Sequence, residues 1–496
     1  MSFAERLDRW IGLISPQWAA SRAAWRRAHR EMLSYRSATR ARTEKPAGNV
    51  RGSADYQLET AYARLDMMFR SRELERDNGL AEGLLSRSVE NVVGTGIKPQ
   101  ARTSNKDWNK AAEALFADWA ETCDVRGMDD FYALQGLTFR SYLRDGDVGT
   151  LLLEDGRLQG VESDEIAAPA GKEHDPRQID GVEVDVAGRP VRYWIVDETA
   201  PDLGTRQVSD RKSLTGRFSI PAEDFLFLSR RKRLKQTRGE PVFSQNAWLF
   251  DQIDGNVEAV TISARIAACF GLVVERASPY SGLPTTTGAD GETYRKWSLE
   301  PGMVKELNLG DKISQIAPQQ PTQNFGEFVG LMARLVGVPL GLPYELVLLD
   351  FSKTNFSSAR ASLIQAYKTF RAHQVRLVGS WCRPIWKRLV SRWIAEGLLE
   401  DLGVESLKHS WTLPGWQWVD PKAEVDSALT AIDAGIKTLH DVITEQGGDY
   451  DEKMEQRAQE LKDMERLAIP IVRSASTRDP LPANGDPSGQ KPARAA

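Results

Sequence analysis

Residues 337 to 360 read Gly337-Val338-Pro339-Leu340-Gly341-Leu342-Pro343-Tyr344-Glu345-Leu346-Val347-Leu348-Leu349-Asp350-Phe351-Ser352-Lys353-Thr354-Asn355-Phe356-Ser357-Ser358-Ala359-Arg360. Interleaved Gly and Pro up to Pro343 forbid a regular element. The segment Tyr344 to Phe356 follows, apolar from Leu346 to Leu349 and polar from Asp350 to Asn355. Ser357 or Ser358 then offers an N-cap. Beyond it, Leu363, Tyr367, Phe370, Leu377, Trp381, Ile385, Leu389 and Trp393 hold one helix face for ~40 residues, roughly 60 Å at 1.5 Å per residue, with a kink expected at Pro384. A helix of that length crosses a large assembly rather than closing a compact domain.

Upstream of this stretch lies a second unusual pattern. Gly and Pro almost vanish from Val242 to Val274, and Leu249, Ile253, Val257, Val260, Ile262, Ile266 and Cys269 suit a long helix. A loop-rich insert follows, Ala277 to Thr322, with PTTTGADGE at 284–292 and strand-like pieces around Val304 to Leu309 and Ile313 to Ile316. Asn324 to Val336 reads as a helix again. Two helices enclosing a small β-containing excursion are unusual in a soluble enzyme domain.

The remainder is mixed helix and sheet, which makes the expected fold class α+β. Residues 47–58 read as a loop. Helical spacing runs from Leu65 to Val89 with a break near Asn78 and Gly79, Val92 to Pro99 reads as a short strand and turn, and Asp107–Thr122 and Asp129–Leu143 are amphipathic helices. At Arg144-Asp145-Gly146-Asp147 the pattern turns to strands over Val148–Leu153, Val182–Val186, Val191–Val196 and Phe225–Leu228. Near the end, Asp420-Pro421, a Thr438 and Asp441 capping box, and Asp449 start three short helices, the last stopped by Pro470. The Pro, Gly and Ala content of 471–496 predicts disorder.

At 496 residues the chain exceeds what one core supports, and 41% apolar with 27% charged residues predicts folding over most of the length. A net charge of −4 argues against tight, salt-sensitive nucleic-acid binding over the whole surface. Trp18 to Lys45 is nonetheless arginine-rich, suited to contact with DNA or an acidic protein surface, or to a solvated helix on its own subunit. Cys123, Cys269 and Cys382 are far apart, which suggests neither zinc nor a disulfide framework. Charges at Glu5, Arg6, Asp8 and Arg9 interrupt any signal-peptide core, and no run approaches ~18 uncharged apolar residues, so a membrane span is not expected.

Chemistry-bearing motifs are sparse. The five histidines are scattered, no GxxxxGK[ST] loop exists, and Gly94-Thr95-Gly96 lacks the rest of a dinucleotide fingerprint. No catalytic residue, cofactor or metal is expected. The competing reading is a metal-dependent nucleic-acid enzyme in which Asp145, Asp147 and Glu154 gather magnesium, although Asp-Gly is also the commonest hairpin signature. The densest basic run, Arg230-Arg231-Lys232-Arg233 with Lys235 and Arg238, suits phosphate contact or an intersubunit loop.

Several of these pieces, in order, resemble the lambda-type family of phage portal proteins: Arg64, Arg72 and Asn78-Gly79; Asn91 to Gly96; Arg140 to Asp147; Arg238-Gly239-Glu240-Pro241; Glu300 to Met303; Gly341 to Glu345 with Asp350 to Arg360; and Trp416 to Pro421. The match runs from about Ala63 to Leu467, with Leu346 to Leu349 more apolar than the family pattern. The resemblance implies one subunit of a ring, commonly a dodecamer. Its parts would be a basic N-terminal arm (1–60), a mixed wing (61–240), a stem of two helices (241–274 and 323–337) around a β-containing clip (275–322), a tunnel-loop region (338–357), a long wing helix with its following segment (358–419), crown helices (420–470) and the tail (471–496). It further implies Asp350, Ser352, Lys353, Thr354 and Asn355 as the loop facing double-stranded DNA. The implied partners are the terminase large subunit, major capsid or scaffold protein, and head completion and tail proteins. The implied location is the capsid portal vertex of the virion, reached from the host cytoplasm during assembly. A different adaptor ring of the head-tail junction is the remaining structural alternative.

Overall fold

The computed structural model describes residues 53–168, 177–196, 217–269, 325–352, 355–416 and 420–468, with short strands at 273–275, 286–287, 293–294 and 312–314. The arginine-rich segment Trp18 to Lys45, the strand-like piece Val304 to Leu309, Lys353, Thr354 and the tail 471–496 lie outside the described residues. The chain divides into two compact units, Met1–Pro421 and Lys422–Ala496.

The first unit opens with α1 (Ser53–Asp77) and α2 (Gly79–Val92). They break at Asn78, whose side chain accepts the N–H groups of Leu80 and Ala81 at 3.0 Å each and so caps α2. The loop expected over 47–58 is helical from Ser53 onward. Once a helix is nucleated, each added residue gains a hydrogen bond, so a run free of Gly and Pro is absorbed. The expected strand at Val92 is also corrected: Val92 ends α2, fully buried. The turn is made by Gly94 (φ 53) and Gly96 (φ 110), and the strand begins only at β1 (Lys98–Ala101). Next come α3 (Lys106–Glu121), capped by Asn105, and α4 (Phe131–Arg144), capped by Asp130.

Strands β2 (Asp147–Leu152), β3 (Leu158–Val161), β4 (Gln178–Ile179), β5 (Val182–Val184), β6 (Pro190–Val196), β7 (Arg217–Pro221) and β8 (Phe225–Ser229) build two antiparallel sheets, ordered β3-β2-β8 and β4-β5-β6-β7. The expected long helix becomes α5 (Ala247–Cys269), preceded by a 3-10 turn at Val242–Gln245. Its expected end at Val274 is corrected: Val273 and Val274 lie in β9 (Val273–Glu275), where β-branched residues suit a pleated ladder better than a helix. The hairpin strands β10 (Thr286–Thr287) and β11 (Thr293–Tyr294) follow, and β12 (Lys312–Ser314) then pairs antiparallel with β9.

The chain re-enters helix at α6 (Phe325–Gly337), then α7 (Tyr344–Leu348) and α8 (Phe356–Leu377), and continues through a π-turn at Val378–Cys382 into α9 (Arg383–Ala395). Asn355, not Ser357 or Ser358, is the N-cap of α8: its side chain accepts the Ser358 N–H at 2.8 Å. The π-turn is the local response to Pro384. Proline has no N–H for the Ser380 carbonyl and its ring crowds that carbonyl, and widening by one residue lets Arg383 N–H bond Val378 O instead. Strand β13 (His409–Thr412), not foreseen from sequence, pairs with β1 across more than three hundred residues.

The main core is aromatic and lies between α2, α3, α4, α8 and α9. Trp381, Trp386, Phe116, Phe131, Phe139 and Phe370 are essentially fully buried, with Phe131 stacked on Trp381 at a centroid distance of 5.1 Å. A smaller core of Val161, Ile166, Val182, Tyr193, Ile195, Ile220 and Phe225 backs the four-stranded sheet. No described helix is long and apolar enough to cross a membrane.

The second unit is helical: α10 (Pro421–Asp433), α11 (Leu439–Glu445) and α12 (Tyr450–Arg466). Thr438 and Asp441 form the reciprocal capping box expected from their spacing, and Asp449 accepts the Glu452 N–H at 2.9 Å. Helix α12 ends at Arg466, before the expected stop at Pro470.

Candidate nucleic-acid interface

The loop preceding α8 is shaped by residues that restrict the backbone. Gly341 has φ 66, and a Cβ there would meet Thr369 Oγ1 at 2.8 Å, so only glycine lets the chain pass this close to α8. Pro343, with φ −71, precedes α7, whose Glu345 and Val347 are buried. Part of the region 338–357, which the resemblance implies as a loop, is therefore helical. Tyr344-Glu345-Leu346-Val347-Leu348 has no breaker, starts after proline and forms a helical turn. Arg87 Nη1 donates to the Val347 carbonyl at 3.0 Å, and the Arg334 guanidinium lies 4.6 Å from the Tyr344 ring centroid.

Leu349 closes α7 at φ 53, a left-handed conformation that leucine rarely adopts. Asp350 then accepts the Ser352 N–H at 2.9 Å and the Ser352 hydroxyl at 2.6 Å, with the Tyr344 hydroxyl donating at 3.4 Å. Of the five residues expected to face DNA, Asp350, Ser352 and Asn355 are described. Asp350 and Ser352 are bound into one Asx turn, and Asn355 caps α8. The exposed large side chains are instead Leu348, Leu349 and Phe351.

Behind the sheets, markers far apart in sequence converge in one buried charge network. Asp145 is fully buried and receives two guanidiniums: Arg72 at 3.0 and 2.8 Å, and Arg144 at 2.8 and 2.7 Å. Glu75 receives Arg140 at 2.5 Å and Arg144 at 3.1 Å. Asp147, also fully buried, accepts Arg238 at 2.8 and 2.9 Å, the Gly239 N–H at 2.8 Å and the Ser163 hydroxyl. Arg64 joins through Asp180 at 2.8 Å and Ser163 Oγ at 2.9 Å. Burial alone would raise the Asp147 pKa, but the Arg238 charge and hydrogen bonds, then Arg64 and Ser163, outweigh it and hold the carboxylate below its ordinary range.

Gly146 and Gly239 let the two segments touch: a Cβ on Gly239 would lie 1.9 Å from the Gly146 carbonyl oxygen. This geometry corrects the metal reading. Arginines take up the lone pairs of Asp145 and Asp147. Glu154 is exposed beyond the far end of β2, about 20 Å along an extended strand, and among the described residues no group of three metal-ligating side chains is assembled.

The basic run Arg230–Arg233 follows β8. Arg231 and Arg233 are exposed, while Lys232 pairs with Glu240 at 2.8 Å. Burial pushes Lys232 down to about 8, helped by Arg230, and pushes Glu240 up to about 7. Arg238, grouped with this run on sequence, is instead buried in the network. Sequence reasoning missed Ser163 and Asp180, whose roles are set by distant partners, and also Arg376, which helical spacing places away from the apolar face of Phe370, Leu377 and Trp381.

The profile described as phage portal protein, lambda family, matches residues 41–374. A probable portal protein of Halomonas phage phiHAP-1 is 23% identical over 444 residues, covering 84% of each chain. Portal protein B of Escherichia phage lambda is 20% identical over 458 residues, covering 80% of this chain and 83% of that one. Among solved structures, a chain in the virion of a native gene transfer agent particle aligns at TM-score 0.47 and 13% identity, over 77% of this chain and 93% of that one.

Proposed function

Because this chain belongs to the lambda family of phage portal proteins, and so to proteins with a role in DNA packaging, we propose that it forms the ring-shaped channel at one capsid vertex through which DNA enters and later leaves. The observation that carries this reading is the family match over 334 residues, 41 to 374. Portal proteins are structural, and the conduit proposed here is passive, with packaging driven by the terminase large subunit as a separate polypeptide. Helix α5, the β9–β12 excursion and α6 occur in the order of a stem, clip and stem, α8 suits the long wing helix, and α10 to α12 suit a crown. The ring is taken as a dodecamer. Its clip would dock the terminase and afterwards the head completion and tail proteins, with the capsid or scaffold protein around the wing.

The tunnel loop in this proposal is 349–355, with Asp350, Ser352, Lys353, Thr354 and Asn355 at the DNA. Duplex DNA carries one charge per ~1.7 Å of axis, so a strongly cationic constriction would hold it while a mixed one lets it slide. The local hydrogen bonds of Asp350 support a muted lining. Arg230, Arg231, Lys232 and Arg233 are proposed as a phosphate or intersubunit contact.

Native mass spectrometry with negative-stain imaging of the full chain tests the ring: about a dozen subunits around a channel is expected, and a species that stays monomeric with scaffold protein present would sink the proposal. Lys353→Gln is expected to leave ring assembly intact and alter DNA retention in filled particles; loss of rings would refute its assignment to the channel.

A further inference from the structure

The first unit neutralises its buried arginines with care. Arg64 meets Asp180, Arg72 and Arg144 share Asp145, and Arg238 meets Asp147. Arg230 and Arg376 have no such carboxylate partner, which is also true of Arg87 and Arg371, but these two act together on one residue, His373. Arg230 leaves the end of β8 and makes only long contacts, at 3.4 and 3.5 Å, to the carbonyls of Glu240 and Pro241. Arg376, on α8 just before the π-turn, donates to the Ser229 carbonyl and lies 5.8 Å from the Tyr142 ring centroid, while its buried Nε has no hydrogen-bond partner. Among the described residues no carboxylate pairs with either. Both side chains are only half-buried, and the charge of Arg376 acts on Arg230.

Two partly desolvated cations side by side are costly unless an anion joins them. Their combined charge matches a phosphate dianion better than a single carboxylate, and guanidinium forks suit its oxygens.

We propose that Arg230 and Arg376 form a binding site for one phosphate group, held by the guanidinium edges that no carbonyl occupies. His373, one turn earlier on α8, reports on it. It faces Phe139 and Tyr142 from α4 and the two arginines. Burial first, then Arg230 and Arg376, push its pKa down to about 4. A bound phosphate offsets both arginines and raises that value.

The test uses the full chain and inorganic phosphate at fixed ionic strength, followed by phosphorus NMR and by the His373 ring-proton titration. Expected are saturable broadening of the phosphate line, a His373 pKa that rises with phosphate, and binding weakened about tenfold or more in Arg230→Gln and Arg376→Gln, with Arg376→Lys retaining part of it. A short DNA duplex that displaces phosphate identifies a phosphodiester source; failure to displace identifies free phosphate, and either keeps the site. No saturable binding, binding unchanged in both variants, or an unmoved His373 overturns it. So does a change in particle mass in the variants without phosphate binding to the parent, which would assign the arginines to a neighbouring subunit's carboxylate. If the glutamine variants fail to fold, Arg376→Lys and the His373 titration of the parent decide the question. None of these outcomes depends on the portal reading, which the ring mass tests separately.

Discussion

Replacing Asp147 with Asn keeps the side-chain shape and removes the charge from the centre of the buried network. Four donor contacts converge on this carboxylate: two from Arg238, one from the Gly239 N–H and one from the Ser163 hydroxyl. Asparagine can accept at one oxygen only and turns an amide toward the remaining donors. Arg238 keeps its hydrogen bonds to the Ile166, Asp180 and Ser163 carbonyls, but the one carboxylate left near it is Asp180 at 3.5 Å, which Arg64 already uses. Removing one partner of a buried pair costs about 3–5 kcal/mol, against a total stability of roughly 5–15 kcal/mol. An unfolding entropy of about 2.1 cal/mol/K per residue makes this about 1 °C per kcal/mol for a chain of this size, so the variant should melt roughly 3–5 °C below the parent by circular dichroism at neutral pH.

The pH dependence carries a sign. The folded pKa of Asp147 lies below its unfolded value near ~3.9, so its contribution is complete above that pH and is lost as pH falls through the folded pKa. The gap between parent and Asp147→Asn should therefore be full above about pH 5 and shrink in stronger acid. The double variant Asp147→Asn with Arg238→Met, which removes both charges, should recover part of the loss. A single variant melting within about 2 °C of the parent at neutral pH, or a gap that persists unchanged in acid, would refute the network as a stabilising element.

Gly341→Ala forces a Cβ into Thr369 at φ 66 and should cost about 1–2 kcal/mol or more, read as a lowered urea midpoint; an unchanged midpoint would show that α8 can yield. Asn355→Ala should cost ~1 kcal/mol by losing the α8 cap, and Asn355→Asp should restore it; equal losses in both would remove the capping role. Trp381→Ala empties a fully buried site stacked on Phe131 and leaves Thr150 Oγ1 without its indole donor, so a loss of about 3–5 kcal/mol is expected in chemical denaturation.

The elements legible in the sequence were those with local causes. The break at Asn78, the box at Thr438 and Asp441 and the cap at Asp449 depend on side chains within three residues of the backbone they bind. Helix faces on α3, α4 and α8 follow from a period set by the same chain segment. The misplaced ends have local reasons of another kind: propagation carried α1 back to Ser53, and β-branched valines paired with β12 rather than extending α5.

What only the tertiary structure decided is what depends on partners far along the chain. Asp145 and Asp147 read as a turn, with metal ligation as the competing reading, until Arg72 and Arg238 are seen to occupy them, 73 and 91 residues away. Strand β13 has no signature of its own and exists because β1 offers it a ladder. Arg376 looks like any helix-surface arginine until the missing carboxylate beside Arg230 is noticed. The sequence alone determined most of the helices and their order, because caps, breakers and periodicity are local. The fate of each buried charge was left to the fold, because the energy of an ionised group depends on which opposite charge the chain brings within about 3 Å of it.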